Sequence, residues 1–282
     1  MTEEIQLPSM AEILAFDPMA QLEADLRAAV AYRVYNSPRS LQKELGPSEV
    51  GHPCPRRIAF GLMAAPEVAP RFDPLPSAVG TGGHDFFGGA FEMDNERIGE
   101  QRWLVEDRVN PFGSTEGNSD LFCTRYGTVV DHKFLGLDKI KHARKHGPRR
   151  VYINQVQTYG LGQLRKGRRV ERVAIWMLPR GGLLADAYLW SAPFDPKIAE
   201  WVDRRLATIT ALCVDLDVEH HPERFQDIPL DTSDCSFCGW KVKHPVAGPH
   251  CIPPTKKKAE EPSIPDSAAG ETAEPTTTEG NS

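Results

Sequence analysis

No apolar run in this 282-residue chain approaches the roughly 18 residues that a membrane-spanning helix needs. The first ten residues, MTEEIQLPSM, are acidic and show no basic-then-apolar secretory pattern. These two absences set the expectation of a cytoplasmic protein with no membrane partner. Positive charge is not in excess either: the formal net charge of -6 argues against indiscriminate nucleic-acid binding. The residues after Cys251, however, carry six acids against Lys256, Lys257 and Lys258, which is -3 of that total, so the net figure hides any basic groove in the rest. Cysteine is sparse at six, and in a reducing compartment metal or cluster ligation is expected before disulfides. The chain has no internal repeat.

With 40% hydrophobic and 26% charged residues, the chain has material for one core with appendages. Residues 1–45 read as an N-terminal helical segment, with Leu22, Leu26, Val30 and Val34 at helical spacing in PMAQLEADLRAAVAYRVY. Residues 46–252 read as the main domain, and 253–282, rich in Pro, Ser, Thr and Glu, as a disordered tail. A helix is expected to start near Pro55, followed by a Pro-rich connector over 66–76. A second helix is expected in SAVGTGGHDFFGGAFEMDNERI, although its glycines between Gly80 and Gly89 cost about 1 kcal/mol each. Such glycines allow a backbone or ligand to come close. Three strand-like runs follow, QRWLVEDRV, NSDLFCT and GTVVDHKFL, with RYG as a tight turn before the last. Then come a helix in VYINQVQTYGLGQLRKG, a hairpin of VERVAIWMLP and ADAYLWSAPF, and a long helix in DPKIAEWVDRRLATITALCVDL. The fold class expected is mixed α/β (α+β), a mixed sheet flanked by helices.

In GTVVDHKFLG, Asp131 and Lys133 are two apart on a strand and share one face, while His132 points to the other. Alone this is an ion pair at a strand end. The preceding strand brings Asp120 to the same end, and two carboxylates beside an amine suit a site for Mg2+ or Mn2+, where the amine positions or activates water. His84 on the preceding helix is a further candidate ligand. Gln155 and Tyr159, four apart, share a face of the next helix.

The series His84, Asp120 in GNSDLF, Asp131-x-Lys133 in VVDHKF and Gln155-x-x-x-Tyr159 in NQVQTYG resembles the motifs of the PD-(D/E)XK nuclease superfamily in its RecB-like branch. The likeness covers about residues 45 to 251 and is strongest to CRISPR-associated and AddB-type exonucleases with an iron-sulfur cluster. It implies a restriction-endonuclease-like core and a metal-dependent deoxyribonuclease acting on single-stranded DNA or DNA ends in recombination, repair, phage replication or CRISPR adaptation. It further implies a metal site of His84, Asp120, Asp131 and the carbonyl of His132, with Lys133, Gln155 and Tyr159 as catalytic residues.

Cys235-x-x-Cys238 and Cys251 are one ligand short of four. The resemblance supplies Cys54, because cluster-bearing relatives place one cysteine before the nuclease core and three after it. A 4Fe-4S cluster on Cys54, Cys235, Cys238 and Cys251 would form a subdomain joining the N- and C-terminal segments. A local Zn2+ site using His244 or His250 is the alternative. Cys123 and Cys213 sit among apolar residues and read as small core side chains. KIKHARKHGPRR, residues 139–150, reads as a charged connector able to meet DNA phosphates. Two other readings stay open: a non-catalytic DNA-end-binding or assembly subunit on a nuclease fold, and a zinc-stapled nucleic-acid-binding module with a merely structural Asp131–Lys133 pair.

Overall fold

The computed structural model describes residues 17–37, 45–113 and 115–254. The chain divides into a unit of Met1–Ile252 and a second of Pro253–Ser282. The expected tail, from residue 255 on, and the first 16 residues lie outside the described residues.

Helix α1 (Pro18–Tyr35) starts at Asp17, whose carboxylate accepts from the backbone N–H groups of Met19 at 2.9 Å and Ala20 at 3.3 Å, a standard N-cap. Its Leu22, Leu26 and Val30 stripe is exposed. A short turn α2 (Pro47–Val50) and helix α3 (Pro55–Leu62) follow, with Cys54 at the N-cap of α3 and proline at its first position. Helix α4 (Leu75–Ile98) ends at Gly99, whose φ of 69° is the left-handed conformation that glycine adopts without strain. Asn95 then fixes α4 to the first strand, donating to the Trp103 carbonyl at 2.7 Å and accepting from the Trp103 N–H at 2.9 Å.

Strands β1 (Trp103–Val109), β2 (Gly117–Cys123) and β3 (Thr128–Leu135) form an antiparallel meander, as their alternation predicts. The chain leaves β3 through α5 (Leu137–His146) and α6 (Arg150–Arg165). It re-enters the sheet as β4 (Arg172–Pro179), parallel to β3, and β5 (Tyr188–Pro193) pairs antiparallel with β4. A parallel neighbour requires such a crossover, because a hairpin turn can only reverse direction. The five strands lie in sequence order, so the sheet is mixed and helices flank it. The fold is mixed α/β. Residues 139–146, expected as connector, are instead most of α5: Ile140 and Ala143, three apart, are buried among the surrounding charges, and Gly147 at φ 82° ends the helix.

One core lies where Val129, Val173, Ile175 and Met177 of the sheet meet Ile140, Ala143, Val156 and Tyr159 of α5 and α6. Each of the Val, Ile and Met side chains among these stabilises the fold by about 1.5–3 kcal/mol. On α4, a Cβ at Gly83 would overlap the Phe134 ring, and one at Gly88 would lie 3.2 Å from Val105 Cγ1. These two glycines let α4 settle on the strands, whereas Gly80, Gly82 and Gly89 face open space.

A second core joins residues from both ends of the domain. Ile58, Ala59 and Phe60 of α3 pack with Ile209 and Cys213 of α7 (Pro196–Asp215) and with Phe225, Ile228, Cys238, Trp240 and Cys251. Phe60 stacks on Trp240 with centroids 5.1 Å apart. Arg56 reinforces the join, donating to the carbonyls of Gln226 at 2.6 Å and Ile228 at 2.8 Å. Cys123 and Cys213 are both buried core side chains. Among the described residues, no helix is long and apolar enough to cross a membrane.

Candidate active site

The β2–β3 pairing runs from Cys123↔Thr128 to Leu121↔Val130. One residue further along, the Asp120 carboxylate accepts from the backbone N–H of His132 at 2.7 Å. This bond fixes one Asp120 oxygen at the point where β3 presents its charged residues. On β1, the register that runs from Val105↔Leu121 to Asp107↔Ser119 sets Glu106 opposite Asp120, and Glu106 has a φ of 46°. Left-handed backbone in a non-glycine residue costs on the order of 1–3 kcal/mol and is concentrated at functional sites.

Alternation along β3 divides its polar residues as expected. Asp131 is wholly buried, and Lys133 Nζ donates to its Oδ1 at 3.0 Å. Nζ is also 2.8 Å from Oδ2, so both carboxylate oxygens of Asp131 face the ammonium. Burial pushes the Asp131 carboxyl above the usual carboxylate range, and repulsion from Asp120 adds to it while Lys133 opposes it. For Lys133, burial works against the charge, but Asp131 and Asp120 together hold its proton and raise the amine above its ordinary value. Lys133 is therefore an ammonium poised beside two carboxyl groups.

His132 turns to the opposite side, where its ring stacks on Phe91 with centroids 5.7 Å apart and meets Trp176 at 5.6 Å. Burial lowers its pKa to about 4, with smaller contributions from His84 and Lys133, so the imidazole is neutral near pH 7. Its Nε2 is buried without a hydrogen-bond partner. His84 comes from α4 with Nδ1 3.6 Å from Asp120 Oδ2. One ligand atom from each of His84, Asp120 and His132 lies within 4.8 Å of the others, the one such gathering among the described residues.

Of the residues singled out in the sequence, His84, Asp120 and His132 thus converge, while Asp131 is engaged with Lys133. Asp120 contacts His84 and the His132 backbone and also acts electrostatically on Asp131 and Lys133. The His132 imidazole was not anticipated, because strand alternation points it away from Asp131. The signal that could have found it is His84, which reaches the sheet from the same side. Gln155 and Tyr159 are both buried on α6, and Tyr159 belongs to the core below the sheet. Their helix has further buried amides that tie segments together: Asn154 donates to the Gly51 carbonyl at 3.0 Å, and Gln157 donates to Pro193 O at 3.2 Å.

Cys54, Cys238 and Cys251 are buried and Cys235 is half-buried. Burial raises the thiol pKa of Cys235, which also feels Cys54, Cys238 and Cys251; Cys251 in turn feels Cys54 and Cys238. The four thiols are thus neighbours, although no three of them meet within 4.8 Å. His244 is exposed, and His250 Nδ1 is 2.8 Å from Gly248 O.

No protein-family model and no curated protein sequence matches the chain. Among solved structures, an alkaline exonuclease from Laribacter hongkongensis aligns at 10% identity with a TM-score of 0.40, covering 71% of this chain and 98% of that one. The same exonuclease in complex with dAMP aligns at 11% identity and 0.41, covering 66% and 95%. A phage-related exonuclease from Haemophilus somnus 129PT aligns at 11% and 0.40, covering 59% and 82%.

Proposed function

We propose that the chain is a metal-dependent DNA exonuclease that acts on single-stranded DNA or DNA ends. The observation that carries this reading is the meeting of an ammonium, two carboxyl groups and two imidazoles at one end of β2 and β3. A structural ion pair needs only Asp131 and Lys133. It does not explain why His132 Nε2 is buried without a hydrogen bond, at a cost of about 1–3 kcal/mol. A cation held together with His84 and Asp120 accounts for it. Carboxylate oxygens suit Mg2+ or Mn2+, and His84 and His132 shift the balance toward Mn2+, since Mg2+ binds mostly to oxygen.

His84, Asp120 and His132 would hold the cation, while Asp131 holds the Lys133 ammonium beside it. A bound cation would neutralise phosphate charge and make a nearby water more acidic. Lys133, as an ammonium, orients that water and stabilises the charge that grows on the phosphate oxygens during attack. Gln155 and Tyr159 steady the site from below. Exposed Lys139, Lys141, Arg144 and Lys145 on α5, which begins two residues after β3, would meet the phosphates of the incoming strand.

For the cysteines, the proposal is a 4Fe-4S cluster on Cys54, Cys235, Cys238 and Cys251. Tetrahedral zinc with bonds of about 2.3 Å would bring its thiolates to within about 4 Å of one another. A cubic cluster spaces them more widely, because each thiolate binds a different corner iron.

The test is incubation of end-labelled single- and double-stranded DNA with Mg2+ or Mn2+. Release of nucleotides that stops on chelation is expected. DNA-end binding with no release under either metal would replace this reading with that of a non-catalytic end-binding subunit.

A further inference from the structure

Tyr152, in the first turn of α6, has two cations at its ring. Lys133 Nζ is 5.2 Å from the ring centroid and Arg149 Cζ is 5.4 Å from it. Arg149 Nη1 also lies 3.5 Å from the Tyr152 hydroxyl. Two positive groups at one ring repel unless each has its own counter-charge, and here each does. Lys133 has Asp131, and Arg149 is paired with the largely buried Asp234.

Asp234 directly precedes Cys235. Its Oδ2 is 3.7 Å from His52 Nε2, and His52 Nδ1 accepts from the backbone N–H of Cys54 at 3.1 Å. Arg57 spans the same junction, 3.3 Å from His52 Nε2 and 3.4 Å from the Ser236 carbonyl. Asp234 therefore sits where the two cysteine-bearing segments meet the foot of α6.

We propose that Asp234, Arg149 and Tyr152 are positioning residues that make the placement of the Lys133 ammonium depend on the order of the cysteine-bearing segments. Lys133 ends a flexible four-carbon stem, and Asp131 and the Tyr152 ring are the groups that fix its tip. If the segment around Cys235 loosens, Asp234 withdraws and Arg149 loses its partner. Arg149 is then free to leave the ring or to compete with Lys133 for it, and the amine loses its setting. The cysteine site would in this way control the rate of the reaction at the other site without touching it. This inference rests on the reading of Lys133 as the amine of the reaction centre.

The test uses full-length, anaerobically purified protein with 15N-labelled lysine. The NMR signal of the Lys133 ammonium is assigned by its loss in Lys133→Arg. Asp234→Asn, which keeps shape and removes charge, is expected to shift that signal and to lower kcat about tenfold at constant KM for DNA, the scale of coupling between linked sites. Tyr152→Leu should do the same, Tyr152→Phe should recover most of the loss, and combining Asp234→Asn with Tyr152→Leu should give less than the product of the two effects. A folded Asp234→Asn protein with the Lys133 signal and kcat unchanged overturns the relay. If the wild-type protein cleaves no DNA, the nuclease reading falls, and a shifted Lys133 signal in Asp234→Asn would still uphold the relay.

Discussion

The two candidate sites are built on opposite principles. Asp120, Asp131, His132 and Lys133 come from adjacent strands, and sheet register places them before any ligand arrives. Cys54 and the cysteines at 235, 238 and 251 come from the two ends of the domain, which meet through an apolar core that includes Cys238 and Cys251. The first site is preorganised, and removing one of its groups should change chemistry more than stability. A cluster at the second would close a very long loop, and removing one of its groups should change stability more than chemistry.

The sharpest break in that contrast would come from Lys133→Ala and Asp131→Asn. Each is expected to lower DNA cleavage 100- to 1,000-fold, the usual loss of about 2.7–4 kcal/mol for one transition-state contact. Melting temperature should move little, because the Asp131 carboxyl already tends to keep a proton when its partner is gone. Cleavage at the wild-type rate in both variants would remove Lys133 and Asp131 from the chemistry.

Cys54→Ser should show the converse. The brown colour, iron and sulfide expected of the purified protein should be lost, the melting temperature should fall, and limited proteolysis should free the C-terminal segment first, with residues 120–133 still protected. A colourless protein with one tightly bound zinc, indifferent to Cys54→Ser, would decide for the local zinc site instead.

A smaller effect distinguishes the two regions by pH. His132 at one site and His52 near the other are both depressed to about 4 by burial, with Arg57, Arg149 and Arg205 adding to the shift of His52. With an unfolded value near 6.5, the unfolded chain binds more protons between pH 4 and 6.5. Their contribution is therefore complete above pH 6.5 and is lost as pH falls toward 4, by up to about 3 kcal/mol each. Melting temperature measured across that range should fall, and His52→Gln should flatten the slope by about half if the two histidines share the effect equally. The smallest effect is expected from deleting residues 255–282, whose composition is polar and rich in proline. A deletion that lowered either melting temperature or cleavage would give that segment a role in one of the two regions.

The strands and long helices were legible because their periodicity is strong: alternation in 127–135 and helical spacing in 196–215 leave little choice. The α5 helix was not, since Ile140 and Ala143 are its only buried residues and its charges dominate the pattern. The pairing of β3 with β4 was equally hidden, because parallel partners are far apart in sequence and nothing local marks them. At the site, Asp120, Asp131 and Lys133 could be read from strand alternation. The His132 imidazole could not, because its meeting with His84 depends on how closely α4 approaches the sheet.

That approach is governed at Gly83, the residue before His84, where a side-chain carbon would overlap the Phe134 ring. Phe134 has little room to yield, since its ring also meets Phe87 at 5.8 Å and His84 itself at 5.5 Å. A methyl group there would act as a shim between helix and sheet, parting His84 from Asp120 and His132 while leaving all three in the chain. Affinity for a cation would then be set by the thickness of the contact beneath the ligands, and Gly83→Ala would weaken binding with every donor atom still present.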